Sequence, residues 1–297
     1  MSNVKHILVI SQYFYPEQFR INDICCEWVK RGYKVTVLTG IPNYPEGKFF
    51  SGYNFFKNRK ECWNGIDIVR IPILPRGNGK IGLVLNYVSF VLSGFFWEIF
   101  THIKADFVFI FEVSPMTQAL PGVWYAKKRK IPCHIYVQDL WPENVQIITG
   151  IKNKYLLYPI NVMVDYIYKN CDIIFATSNS FVKEIVARNV DENKVKFLPQ
   201  YAEDFYVPIK KNKGKNCDSF VVVFTGNVGY AQGLDILPKV AKLLKINNIN
   251  VLFKIVGDGR FMHELKREIN NNNINEYFDF TGRVDPKDPH GRRSRSV

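Results

Sequence analysis

Short, β-rich apolar runs alternate with helix-like segments along almost the whole chain, and few architectures accommodate that alternation. The runs KHILVIS, YKVTVLTG, IDIVRIPI, ADFVFIFE, CHIYVQD, DIIFATS and KVKFLPQ begin at Lys5, Tyr33, Ile66, Ala105, Cys133, Asp172 and Lys194. Between them lie an amphipathic segment, INDICCEWVKRG, and helical patterns over 115–129, 153–170 and 179–189. Strands that read as continuous apolar runs are buried on both faces, so the alternation predicts an α/β fold with a parallel sheet covered by helices. Over 201–218 the pattern lapses into a polar, basic stretch with Pro208 and Gly214, which predicts a linker. It then restarts with FVVVFTG, a helix from Gln232 to about Ile246, VLFKIVGDG, a helix over 260–273, and FDFTGRV. The chain therefore reads as two Rossmann-like units, 1–200 and 219–287, the second with only three strands.

Ligands of such sheets bind where strand carboxyl ends run into loops and helix starts. The loop after the first strand, SQYFYPEQFRIND, contains no glycine. A G-x-G-x-x-G pyrophosphate turn is therefore excluded there, which argues strongly against a nicotinamide or flavin dinucleotide enzyme. The fifth strand runs into QDLWPENV, which places Gln138 and Asp139 at a strand end with Trp141 and Glu143 beyond. In the second unit the first strand enters FTGNVGYAQGLDIL. Gly226 and Gly229 permit close backbone approach there, and Gln232-Gly233 opens a helix, which suits a diphosphate; an ordinary tight turn has the same residues.

Charge and cysteines narrow the partners. The net charge of +13 is spread over both halves, with no dense Lys/Arg stripe and no nucleic-acid motif. That pattern suits anionic small molecules or an anionic membrane surface rather than nucleic acid. The cluster Lys127 to Lys130 reads either as a helix end whose cations favour the dipole or as a membrane-facing patch. The six cysteines form no C-x-x-C pair and no zinc spacing, which predicts free thiols in a reducing, cytoplasmic compartment. The segment 81–100, IGLVLNYVSFVLSGFFWEIF, is free of charge until Glu98. A core helix, a helix resting on a bilayer and a true span are all open for it.

As an ordered set, QYFYPE at 12–17, TGIPNYPEGKFFSGY at 39–53, VQDLWPE at 137–143, FTGNVGYAQGL at 224–234, VGDG at 256–259 and TGRV at 281–284 resemble one family. The chain, from residue 4 to about 287, resembles the retaining glycosyltransferases of the GT-B fold (family 4), and within them the WbuB/WcaI-like branch of O-antigen and colanic-acid enzymes. The resemblance implies an acceptor-binding domain over 1–200 and a partial nucleotide-sugar domain over 219–287, with the site in the cleft. The expected donor is a UDP-linked sugar, the acceptor a saccharide on a polyprenyl diphosphate at the inner membrane face. No cofactor and no metal are expected. The phosphates would rest on Gly226, Asn227, Gly229, Gln232, Gly233 and Gly257. Many relatives carry G-R-x-x-x-x-K-G there; Asn227 and Gln232 replace the two cations. Arg283 would supply charge from the next strand end or cap a loop.

In the first unit the resemblance implies that Asp139, with Gln138, meets the donor sugar or the charge developing at its anomeric carbon. The alternative for Asp139 is a helix N-cap. Glu17, with Tyr15, Asn43 and Tyr44, is the implied acceptor side, against a solvated loop carboxylate for Glu17. His134 reads as core. An acceptor on the membrane would give 81–100 and Lys127 to Lys130 a joint role in monotopic, peripheral attachment. Two rivals stand: a GT-B-fold nucleotide-sugar epimerase, disfavoured by only five histidines, and a non-catalytic nucleotide-sugar or membrane-binding protein. The match stops near Lys287, and DPHGRRSRSV at 288–297 resembles nothing in the family. The expectation is a truncated enzyme with an exposed apolar sheet edge, an incomplete donor site and doubtful activity.

Overall fold

The computed structural model describes residues 4–77, 79–149, 153–202 and 220–284. The chain divides after Gln200 into two compact units. Nearly all of the expected linker, and the whole 288–297 tail, lie outside the described residues.

The first unit runs β1 (His6–Ile10), α1 (Arg20–Lys30), β2 (Lys34–Gly40), β3 (Lys60–Trp63), β4 (Ile66–Ile71), α2 (Lys80–Phe100) and β5 (Phe107–Glu112). It continues with α3 (Leu120–Arg129), β6 (Cys133–Val137), α4 (Glu143–Thr149), α5 (Lys154–Lys169), β7 (Ile173–Ala176), α6 (Asn179–Ala187) and β8 (Val195–Phe197). These strands form one eight-stranded sheet in the order β3-β4-β2-β1-β5-β6-β7-β8. Central β1 pairs in parallel with β2 and β5, Leu8 standing opposite Thr36 and Val108. Successive residues of a strand point to opposite faces. Leu8, Ile10, Leu38 and Ile110 accordingly join one core layer, while Ile7, Val9, Val35 and Phe109 join the other. Each such buried side chain contributes roughly 1.5–3 kcal/mol, which is why the strands read as unbroken apolar runs.

The sheet is parallel except at one edge, where β3 pairs antiparallel with β4. Strand β3 is absent from the sequence reading, because Lys60-Glu61-Cys62-Trp63 alternates exposed and half-buried residues and lacks an apolar run. Its signal was the turn instead: Asn64 and Gly65, at φ of 50° and 77°, form a two-residue connection between Trp63 and Ile66. The short helix α4 was also unanticipated.

Helix α2 is the crossover from β4 to β5, packed on the sheet and on α3. Its buried residues are Asn86, Phe90, Gly94 and Glu98, a stripe four residues apart. Polar side chains on that side find partners: Asn86 bonds Gln12 and the Leu74 carbonyl, Ser93 bonds Pro72, and Glu98 pairs with Lys128 at 3.0 Å. Gly94 lets Pro121 approach, since a Cβ there would lie 2.3 Å from the proline ring. The apolar residues Ile81, Val84, Leu85, Val88, Leu92, Phe96 and Phe100 face outward. The helix is therefore amphipathic in the inverse sense, polar inward and apolar outward.

The second unit comprises β9 (Phe220–Thr225), α7 (Ile236–Ile246), β10 (Val251–Val256), α8 (Met262–Asn271) and β11 (Phe278–Gly282). The described strands pair in parallel in the order β11-β10-β9. Phe253, Ile255, Leu265, Ile269 and Phe278 centre its core. Strand β9, apolar throughout, is exposed from Phe220 to Val223. Helix α7 starts four residues later than the sequence reading places it. Gly233, left-handed at φ 64°, ends a 3₁₀ turn over Tyr230–Gln232 and breaks continuity with the helix.

Candidate active site

The carboxyl ends of β1, β2, β5 and β6 converge on one side of the first unit, and the polar side chains of the sequence reading gather there. Glu17 is buried, 3% exposed. One of its oxygens accepts the backbone N–H groups of Asn43 at 2.7 Å and Tyr44 at 2.6 Å. Burial pushes its carboxyl up to about 7, with those N–H bonds opposing the shift. It is thus a latch between two strand-end loops, not a solvated loop carboxylate. Asn43 is buried too: its amide donates to the Ile41 carbonyl and accepts the Arg76 N–H. Tyr44 is half-exposed beside Tyr13 and Phe19, with the Arg76 guanidinium 5.5 Å from its ring centre. Tyr15 turns away to stack on Trp63 at 4.4 Å, and its carbonyl accepts from Arg70.

Asp139 follows β6 and is half-buried. Its carboxylate accepts the Ser114 N–H at 2.8 Å, tying it to the loop after β5. Gln138 accepts from Gln200, and its own amide nitrogen is buried without a partner.

The structure adds groups that sequence reasoning missed. Glu112 ends β5, fully buried, and the Asp139 N–H lies 3.4 Å from its carboxyl. Burial, reinforced by the nearby Asp139 carboxylate, pushes the Glu112 carboxyl well above its usual range. A carboxylate closing an apolar strand, ADFVFIFE, was the available signal. Beneath the loops, Gln12 donates to Asn86 and its N–H bonds Gln118. Arg70, 1% exposed, donates to the carbonyls of Asn58 and Tyr15 and to Glu61 at 2.8 Å, joining the β3–β4 hairpin to the loop after β1. His134 is half-buried, its ring between those of Phe107 and Phe175, at the margin of the core rather than within it. The cations Lys128 and Arg129 engage Glu98 and the Thr101 carbonyl, which accounts for half of the basic cluster within the fold.

In the second unit the glycines pack two loops together. A Cβ on Gly257 would lie 1.9 Å from the Gly226 carbonyl oxygen, and one on Gly259 would lie 2.3 Å from that of Val228. The N–H groups of Gly226, Gly229 and Gln232 are engaged within the protein, by Val256, by Asn227 and the Gln232 side chain, and by Gly229. Among the described residues, those of Asn227 and Tyr230 have no protein acceptor. Gly233 sits at the break before α7, so the helix end is not at Gln232. Arg283 stands exposed just past β11. No group of three metal-ligand side chains occurs among the described residues.

Two of the cavities in the first unit bear on its sheet ends. One of about 980 Å³ lies at the amino ends of the strands, where the His6 ring bridges the Lys104 carbonyl and Thr36. The other, about 360 Å³, opens beside Ser114 and Trp141 at the strand carboxyl ends, between α2 and α5.

Two family models match the chain, and they are described as glycosyl transferases. The model described as "Glycosyl transferase 4-like domain" matches residues 18–200, and "Glycosyl transferases group 1" matches 208–292. The chain is 23% identical over 249 residues to WcaI of Escherichia coli K12, a putative colanic acid biosynthesis glycosyl transferase. That match covers 78% of this chain and 60% of WcaI, so the chain spans about 60% of that relative's length. HepE of Anabaena, solved with UDP and glucose, superposes with a TM-score of 0.58 at 13% identity, covering 95% of this chain and 70% of HepE. WaaG, a glycosyltransferase involved in lipopolysaccharide biosynthesis, superposes with a TM-score of 0.55 at 11% identity, over 94% and 70%. These likenesses show the fold, the α/β architecture of GT-B glycosyltransferases.

Proposed function

The chain belongs to the glycosyl transferase 4-like family, and from that premise we propose that it moves a sugar from a UDP-linked donor to a saccharide carried on a polyprenyl diphosphate. Transfer retains anomeric configuration and serves bacterial surface-polysaccharide synthesis in the cytoplasm, on the inner face of the membrane. The observation that carries the reading is Asp139. The Ser114 N–H holds its carboxylate at 2.8 Å at the end of β6, and the buried Glu112, its own carboxyl pushed well above the usual range, lies behind it. A carboxylate so fixed stabilises positive charge developing at an anomeric carbon, because it is oriented before the charge appears.

On the donor side, the unengaged N–H groups of Asn227 and Tyr230 and the exposed Arg283 are the groups suited to a leaving diphosphate. Gly226, Gly229, Gln232, Gly233 and Gly257 then act by shaping the turn rather than by donating. On the acceptor side Tyr44 and Arg76 face the opening, while Glu17, Asn43 and Tyr15 hold the loops that carry them. Peripheral attachment is supported by the outward apolar face of α2, which an interfacial helix would bury among lipid headgroups.

The test is transfer of radiolabelled sugar from UDP-sugars to a lipid-linked saccharide, with the product's anomeric configuration read by NMR. Transfer with retention is expected. An inverted product defeats the retaining assignment. UDP binding by calorimetry without transfer points to a non-catalytic binder, and interconversion of free UDP-sugars points to an epimerase.

A further inference from the structure

We propose that the groove between α2 and α5 holds the hydrocarbon chain of the acceptor, a prenyl group, with Arg76 and Lys80 at its polar end meeting the attached diphosphate. The assignment rests on the transferase reading above and specifies how its acceptor is recognised. The groove, of about 360 Å³, is walled by Val84 and Val88 of α2, Ile160 and Met163 of α5, and Trp141. Its volume lies within the roughly 300–1,000 Å³ range of small-molecule sites. The Ser114 hydroxyl at its inner end is occupied by the Trp141 and Asn144 side chains, so it gives a peptide backbone little to bond. An apolar chain needs no such partner.

Two further observations point to an amphiphile with an anionic head. First, the groove is continuous with the strand-end site: Ser114 both lines it and fixes Asp139, and Tyr87 lines it within the electrostatic reach of Arg76 and Asp139. Second, cations stand at that end and hydrophobic surface at the other. Lys80 begins α2 and lines the groove, and the Arg76 guanidinium lies over the Tyr44 ring. Outside the groove, Leu85 and Leu92 of α2 and Leu156 and Val162 of α5 continue the apolar wall into solvent. A chain longer than the groove would stay covered along that wall or pass into a bilayer against it.

The experiment uses the full chain and benzophenone-bearing farnesyl diphosphate, with photolabelled peptides mapped by mass spectrometry. Labelling is expected on α2, α4 and α5, displaced at least tenfold more readily by farnesyl diphosphate than by dodecyl phosphate or inorganic diphosphate. The double variant Val84→Trp/Val88→Trp, at two outward-facing positions, should lower labelling at least tenfold with the melting temperature unchanged. Met163→Trp, filling the opposite wall, should do the same. Labelling elsewhere, equal displacement by dodecyl phosphate, or full labelling of both filled variants would overturn the assignment. Intact groove labelling without sugar transfer to a farnesyl-diphosphate-linked acceptor would support the groove and defeat the transferase reading alone.

Discussion

Replacing Glu17 with Gln should make the protein less sensitive to alkaline pH, and the expected size follows from the burial of that one carboxyl. Glu17 is 3% exposed and its carboxyl is pushed from the ordinary 4.5 up to about 7, chiefly by burial. A folded-state pKa above the unfolded value means that the native state holds a proton which the unfolded state has released. Stability is then fully present below about 4.5 and declines as pH rises through about 7. At roughly 1.4 kcal/mol per pH unit, the loss between pH 5 and pH 8 is about 2–3 kcal/mol. The Gln carbonyl can still accept from Asn43 and Tyr44, and it has no proton to lose. Urea unfolding followed by tryptophan fluorescence at pH 5 and pH 8 gives the comparison. Glu17→Gln should match wild type near pH 5 and exceed it by about 2 kcal/mol at pH 8. Because both proteins keep Glu112, its own titration cancels. A wild-type-minus-variant difference that is flat across this range, or a variant less stable at pH 8, would refute the reasoning.

Three other substitutions test separate parts of the molecule. Arg70→Met removes a buried cation that serves Glu61 and two carbonyls, and should cost about 3–5 kcal/mol in chemical unfolding; a loss under 1 kcal/mol would show the network to be dispensable. Gly257→Ala places a Cβ 1.9 Å from the Gly226 oxygen at a φ of 135°, so hydrogen exchange should accelerate in β9, β10 and β11 while the first unit keeps its protection. Leu92→Glu with Phe96→Glu charges the outward face of α2 and should reduce sedimentation with anionic vesicles at least tenfold without lowering the melting temperature; unchanged sedimentation would rule out α2 as the lipid-facing surface.

The legible parts of the sequence were those where burial dictates residue type over several positions. The strands of the first sheet were visible because both of their faces are covered, leaving continuous apolar runs such as His6–Ile10 and Phe107–Glu112. Strand β3 was not, because a half-exposed edge strand has no such run, although Asn64-Gly65 marked its turn. The site was legible as loops rather than as roles. Glu17, Asn43 and Tyr44 were picked out together, and they do meet, but two of the three are latched into the fold. Glu112 escaped notice because its importance comes from sitting beside Asp139, twenty-seven residues away in sequence.

Local periodicity and turn chemistry by themselves decided the α/β alternation, the strand-end loops, the missing dinucleotide turn and the unusual apolarity of 81–100. Each depends on residues close in sequence, where spacing maps directly onto geometry. Which way α2 faces was decided only in three dimensions. A helix rich in Leu, Val and Phe can bury either side, and the choice follows from Asn86 finding Gln12, Gly94 admitting Pro121 and Glu98 meeting Lys128. The ionisation of Glu17 and Glu112 was likewise decided by folding, because desolvation and neighbouring charge arise only when distant segments close around a carboxyl.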